Sequence, residues 1–158
     1  MKVMIVSVGT PKMPGLAEAI RDYESRLAHY FKFESLEVRQ QRITPSADTG
    51  ALVEKESQAL LDKVEAGLEL IAVDERGAPW TTEQLAEHLG KLAVESKPGI
   101  AFLIGGPLGL SSGVRGAAHQ MISLSAFTLP HEMARLLLAE QIYRAGTILR
   151  GEPYHKGR

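Results

Sequence analysis

Hydrophobic positions along this chain switch between short unbroken runs and spaced stripes. Residues 3–8 form an apolar, β-branched run that ends at Gly9, and residues 70–73 and 100–104 form two more. Runs this short, stopped by glycine or charge, predict buried strands. Leu36 and Val38 alternate with Glu37 and Arg39, the pattern of a half-exposed edge strand. Leu16, Ile20, Tyr23, Leu27 and Tyr30 recur every three or four residues and mark one face of a helix. Residues 52–65 are helical in pattern, with Gly67 placed as a C-terminal cap. Thr81 and Gln84 form a capping box for a helix over 82–95. Residues 43–50 are a polar connection and the best place for a flexible loop.

Ser111 or Ser112 caps a short helix running to about Gln120, and residues 121–126 make a fifth strand. Pro130 then opens the longest helical pattern, which carries Arg135, Glu140, Tyr143 and Arg144. Strands and helices thus alternate almost throughout. That predicts an α/β fold with a mainly parallel sheet, in a single domain over 1–158. Ligands of such sheets bind beyond the strands' carboxyl ends, so the loops after Val73, Ile104 and Ala126 would share one crevice if those strands are neighbours. The stop after Val73 is expected at Asp74-Glu75-Arg76-Gly77.

The loop Gly105-Gly106-Pro107-Leu108-Gly109 leaves its backbone bare for a ligand. It fits neither a Walker loop nor G-x-G-x-x-G, and alone it is equally a tight turn or a ligand cradle. Glu132 reads as a first-turn acid favouring the helix dipole, and Glu140 with Arg144 as an i, i+4 ion pair. Met133, Leu136, Leu137, Leu138, Ile142 and Ile148 spread over so wide an arc that this helix must face a core or an interface. A homodimer is the natural expectation.

Composition narrows the classes. The chain has no cysteine, which excludes disulfides, thiolate metal sites and a cysteine nucleophile, and it fits a cytoplasmic protein. No apolar run has the length of a membrane span, and no signal peptide is visible. The net charge of −1 excludes a globally basic nucleic-acid binder. Local basic clusters remain: Arg144, Arg150, Lys156 and Arg158 near the C-terminus, and Arg39-Gln40-Gln41-Arg42, the second read as solvated surface. The tail Pro153-Tyr154-His155-Lys156 would ordinarily be a frayed end. Its composition also suits a stacking tyrosine, a proton-moving histidine and phosphate-binding cations.

Four motifs, taken in order, are closely similar to those of the ribosomal RNA large subunit methyltransferase H family, small members of the SPOUT class. They are Leu103-Ile104-Gly105-Gly106-Pro107-x-Gly109-Leu110, Leu124-Ser125-x-x-Thr128-Leu129-Pro130-His131, Arg135-x-x-Leu138-x-Glu140-Gln141-x-Tyr143-Arg144-Ala145 and Pro153-Tyr154-His155. The resemblance covers the whole chain. It implies a C-terminal trefoil knot, a homodimer built on the last helix, and S-adenosyl-L-methionine held at Val73, Gly105, Leu124, Ser125, Ala126, Phe127, Thr128 and Leu129. Family members often carry leucine at the position of Val73. No metal and no membrane is implied.

The same resemblance implies methylation of N3 of a pseudouridine in 23S rRNA of the assembled ribosome. Arg144, Tyr154 and His155 are then the candidate catalytic residues. Arg144 would stabilise charge on the base, Tyr154 and His155 would hold it, and His155 would accept the N3 proton. The alternatives are a SPOUT methyltransferase acting on another RNA such as tRNA, and a ribosome-binding module without catalysis.

Overall fold

The computed structural model describes residues 1–156, with His155 and Lys156 described by backbone alone. Five strands form one sheet in the order β2-β1-β4-β3-β5, every neighbouring pair parallel. They are β1 (Lys2–Val8), β2 (Lys32–Val38), β3 (Glu69–Pro79), β4 (Gly99–Ile104) and β5 (Gln120–Ser123). Helices α1 (Pro14–Leu27), α2 (Thr49–Leu61), α3 (Thr82–Val94), α4 (Ser112–Ala117) and α5 (His131–Leu149) connect or follow them. A 3-10 turn, Pro153–Lys156, closes the described chain.

The apolar runs are strands because both sheet faces are covered. Val3 and Ile5 of β1, with Ile100 and Phe102 of β4, pack against Leu27, Leu89, Leu138 and Ile142 from α1, α3 and α5. Met4, Val6, Ala101 and Leu103 point the other way, onto Leu60 and Val114 from α2 and α4. Strands buried on both faces read as continuous apolar runs rather than alternations. At the edge, β2 is partly exposed, as its alternation predicts.

Helix α5 lies between α1 and α3, which accounts for much of its wide apolar arc. Ala134, Leu138, Ala139, Ile142 and Ala145 are buried, whereas Leu136 and Leu137 are half-buried and Met133 is exposed. Arg135 on the same helix is not a site charge. It is 6% exposed and donates to Glu24 Oε1 at 2.8 Å, Glu37 Oε1 at 2.6 Å and Ser35 Oγ at 2.9 Å, which pins α5 to α1 and β2.

Four elements differ in their bounds from the sequence pattern. Helix α2 starts earlier, at Thr49, because Asp48 accepts the Ala51 N–H at 3.1 Å as its N-cap, and it stops at Leu61 with Asp62 as its C-cap. Gly67, with φ of +85°, therefore turns the chain toward β3 and caps nothing. Strand β3 does not end at Val73. Val73 and Ala78 both pair with Ile122, so residues 74–77 form a hump after which pairing resumes. Gly77 makes this possible, since a Cβ there would stand 2.5 Å from the Ile122 carbonyl carbon. Helix α4 ends at Ala117. Strand β5 ends at Ser123, where Ser123 Oγ donates to Ser125 O at 2.8 Å and Ser125 Oγ accepts from Phe127 N at 2.9 Å, forming a turn in place of the ladder. Among the described residues, no helix is long and apolar enough to cross a membrane.

Candidate active site

Since β3 lies between β4 and β5, the three loops beyond their carboxyl ends meet, as the sequence pattern required. Between them is a crevice of about 610 Å³. Its apolar walls are Val73, Ile104, Leu110, Leu124 and Leu129, and its floor is the glycine loop 105–109. Gly105 has no room for a side chain: a Cβ would sit 2.6 Å from the Gly109 carbonyl carbon. Gly109 itself turns at φ of +79°. The loop is thus a tight turn whose backbone borders the crevice.

The rim is polar. Asp74 is nearly buried, accepts the Arg76 N–H at 3.0 Å and stands 3.8 Å from Arg115. Arg115 also donates to the Leu110 carbonyl. Thr128 Oγ1 donates to Glu75 Oε2 at 3.0 Å, joining the β3 hump to the loop before α5. At the other side His131 begins α5, and Glu132 accepts the backbone N–H groups of Lys12 at 2.9 Å and Met13 at 3.4 Å. The Lys12 N–H foremost, with Met13 and nearby positive charge, holds the Glu132 carboxyl below its usual range despite some opposing burial. The first-turn acid read from sequence therefore also fastens the β1–α1 loop.

Of the residues expected to hold a cofactor, Val73, Gly105, Leu124, Ser125, Phe127, Thr128 and Leu129 line the crevice. Ala126 belongs to the same loop but is exposed and outside the lining. Asp74, Glu75 and Arg76, from the loop expected to share the crevice, line it, and so does Arg115 of α4, which the sequence pattern does not place there. The charged stop after Val73 signals the first three, which the hump carries to the crevice, whereas Arg115 comes from α4 and stands beside Asp74.

Arg144 and Tyr154 are together, but elsewhere. Tyr154 donates to Glu140 Oε1 at 3.2 Å, and the Arg144 guanidinium carbon lies 4.8 Å from the centre of the Tyr154 ring. Arg144 Nε donates to Glu140 at 3.0 Å, the expected i, i+4 pair, and that carboxylate keeps the guanidinium firmly protonated. Burial, then hydrogen bonding with Tyr23 and the nearby Glu140 charge, push the Tyr154 hydroxyl well above its usual range. His131 and Arg144 are separated by roughly 20 Å along α5, at about 1.5 Å per residue. Within the chain, therefore, the crevice and the Arg144–Tyr154 pair do not meet. The side chain of His155 lies outside the described residues.

Residues 1–155 match the family model for a predicted SPOUT methyltransferase. Over 158 residues the chain is 44% identical to the ribosomal RNA large subunit methyltransferase H of Gemmatimonas aurantiaca, with 99% of this chain and 100% of that one covered. The chain belongs to the methyltransferase H family. Solved structures of lower identity share the fold of this family member. A probable methylase family protein from Haemophilus influenzae superposes with a TM-score of 0.60 at 17% identity, covering 96% of this chain and 69% of that one. A Legionella pneumophila methyltransferase solved with bound SAM gives 0.50 at 13% identity, covering 92% and 66%. The five-stranded parallel sheet is the SPOUT arrangement of the family.

Proposed function

We propose that this protein methylates N3 of a pseudouridine in 23S rRNA of the assembled ribosome, using S-adenosylmethionine and acting as a cytoplasmic homodimer. Family membership supports the reaction class, and a relative named for the large-subunit rRNA supports the substrate. One geometric observation carries the dimeric site. The crevice at the start of α5 and the Arg144–Tyr154 pair lie roughly 20 Å apart along the helix, which supports a site in which one protomer's tail serves its partner's crevice. The half-buried Leu136 and Leu137 and exposed Met133 give α5 an apolar outer surface for that pairing. The threaded C-terminal chain belongs to the same proposal.

The crevice suits the methyl donor. Val73, Leu124 and Leu129 offer an apolar wall for a purine, and the bare backbone of Gly105 and Gly106 borders the same space. Backbone groups of Ser125, Ala126, Phe127 and Thr128 would edge the same ligand. When bound, S-adenosylmethionine supplies an electrophilic methyl group on sulfonium sulfur.

The remaining work falls to the chain. The uracil ring must face the methyl in line, and N3 must lose its proton. His155, with an unperturbed pKa of about 6.5, accepts that proton. The deprotonated N3 would then be the nucleophile toward the methyl group that the cofactor supplies. Arg144, always protonated, offers N–H donors to the flanking carbonyl oxygens, where negative charge spreads. Tyr154 keeps its proton and so stacks on or donates to the base without removing a proton from it.

Labelled methyl transfer to whole ribosomes, separated subunits, naked rRNA and tRNA tests this reading. Incorporation at a pseudouridine of 23S rRNA in whole ribosomes is expected. Incorporation only into tRNA overturns the substrate, and none anywhere favours a binding module. Mixing a tail-deleted protomer with a crevice variant tests the shared site: absence of activity in every mixture overturns it.

A further inference from the structure

Because all five strands are parallel, the loops after β1 and β2 open on the same edge of the sheet as the crevice. A second depression of about 790 Å³ lies there, between the β1–α1 loop, residues 39–43 and the middle of α2. Lys12, Arg39, Arg42 and Lys55 line it, all four exposed, together with Gln40 and Gln41 and no carboxylate. In a chain of net charge −1 this is a local excess of positive charge that the sequence shows only in part. Arg39 and Arg42 stand close in sequence, whereas Lys12 and Lys55 are brought in by the fold.

Among the described residues, none of the four cations is ion-paired. The neighbouring acids are already engaged. Glu132 holds the backbone of Lys12 and Met13, Glu37 accepts from Thr10 and Arg135, and Glu56 is 2% exposed. Glu56 Oε1 accepts the Gln41 N–H at 2.7 Å, while its buried Oε2 has no hydrogen-bond partner among the described residues. That oxygen lies 3.1 Å from where a side chain at Gly106 would begin, so one carboxylate braces both groove and glycine loop.

Groove and crevice adjoin. Gln40 Oε1, of the groove, and His131 Nε2, of the crevice, each lie 3.2 Å from the position a Cβ would take at Gly9. We infer that this groove binds the phosphate backbone of the RNA whose target base enters the adjoining crevice. Guanidinium groups suit phosphate through paired N–H donors, and the lysines add point charges. The two glutamines can meet sugar hydroxyls. The solvated-surface reading of Arg39-Gln40-Gln41-Arg42 does not explain why Lys12 and Lys55 converge on it without a carboxylate. This inference rests on the rRNA reading of the crevice.

The test replaces Lys12, Arg39, Arg42 and Lys55 by alanine in the full chain and measures co-sedimentation with purified ribosomes between 50 and 200 mM KCl. With about 0.7 counterions released per phosphate contact, four contacts flatten the log–log salt slope by about 3. Over that fourfold salt range the unaltered protein should lose roughly fifty-fold more affinity than the variant. The variant's KM for ribosomes should rise while its affinity for S-adenosylmethionine stays constant. A control changing Lys63 and Lys97, exposed at the opposite edge of the sheet, should leave the slope unaltered. Restoring charge with Arg39→Lys and Arg42→Lys in an otherwise intact groove should retain most of it. A variant that binds ribosomes with unchanged slope and KM overturns the groove. An unaltered protein that binds with the expected slope but methylates nothing overturns the reaction and leaves the groove standing.

Discussion

The hydroxyl of Tyr154 donates to Glu140 Oε1 at 3.2 Å, so the tail is held on the middle of its own α5 rather than loose in solvent. Tyr143 meets the same ring edge-on, with centroids 4.7 Å apart. Tyr154→Phe keeps this packing and removes only the hydroxyl. Turnover on ribosomes should fall by about tenfold, within the range of one lost hydrogen bond to a charged or transition-state group, while cofactor affinity is retained. Tyr154→Ala should cost more. Isothermal titration with S-adenosylmethionine separates the two effects from loss of fold.

Tyrosine ionisation offers a second check. The Glu152 carboxylate first, then burial, push the Tyr30 hydroxyl up to about 12, and Tyr154 is also raised. Alkaline absorbance titration should show late-ionising phenols, and Glu140→Gln should bring Tyr154 back toward its ordinary value of about 10.

Arg135 sits between Glu24 and Glu37 at the junction of α5, α1 and β2. Arg135→Met leaves two carboxylates facing each other in a partly buried space. The change should destabilise the fold by about 3 kcal/mol or more, a large share of a typical total, and urea unfolding measures it. Its effect on cofactor binding in the folded fraction should be small.

Glu132 carries an acid dependence. Its folded pKa is lowered, so its contribution is present above the ordinary glutamate range and is lost as pH falls through the folded value. Glu37 acts in the same direction, since Thr10 and Arg135 outweigh the burial that would raise it. Urea midpoints for the unaltered protein should decline between about pH 5 and pH 3, and Glu132→Gln should shallow that decline. An equally steep decline in the variant would remove Glu132 from the explanation.

Gly105→Ala places a methyl group 2.6 Å from the Gly109 carbonyl carbon. The loop must shift, and affinity for S-adenosylmethionine should drop at least tenfold, about 1.4 kcal/mol, with circular dichroism unchanged. Native affinity in this variant would show that the loop does not contact the cofactor.

The sheet was legible because its strands are buried on both faces and stop abruptly, as at Val3 to Val8 and Ile100 to Ile104. The convergence of Val73, Gly105 and Leu129 followed from parallel order once β3 fell between β4 and β5. What the pattern hid was local. Period-two alternation carries no sign of two residues sharing one partner, so the hump after Val73 looked like a strand end. A capping aspartate outweighed apolar periodicity at α2, and serine side chains cut β5 short. Lys12 and Lys55 stand far from Arg39 in sequence, and only the folded chain gathers their charge.

The hump has a mechanical consequence. Its two ends, Val73 and Ala78, are both fastened to Ile122, and its crest is bonded through Glu75 to Thr128 beyond the end of β5. Hump and rim therefore share an anchor on β5, while Val73 is held on its other side by Ile104 of β4. If β5 peels from β3, the hump opens with the rim, like a shutter whose hinge is Val73. Amide exchange at Ile122 and in the hump should consequently slow in step when ligand fills the crevice.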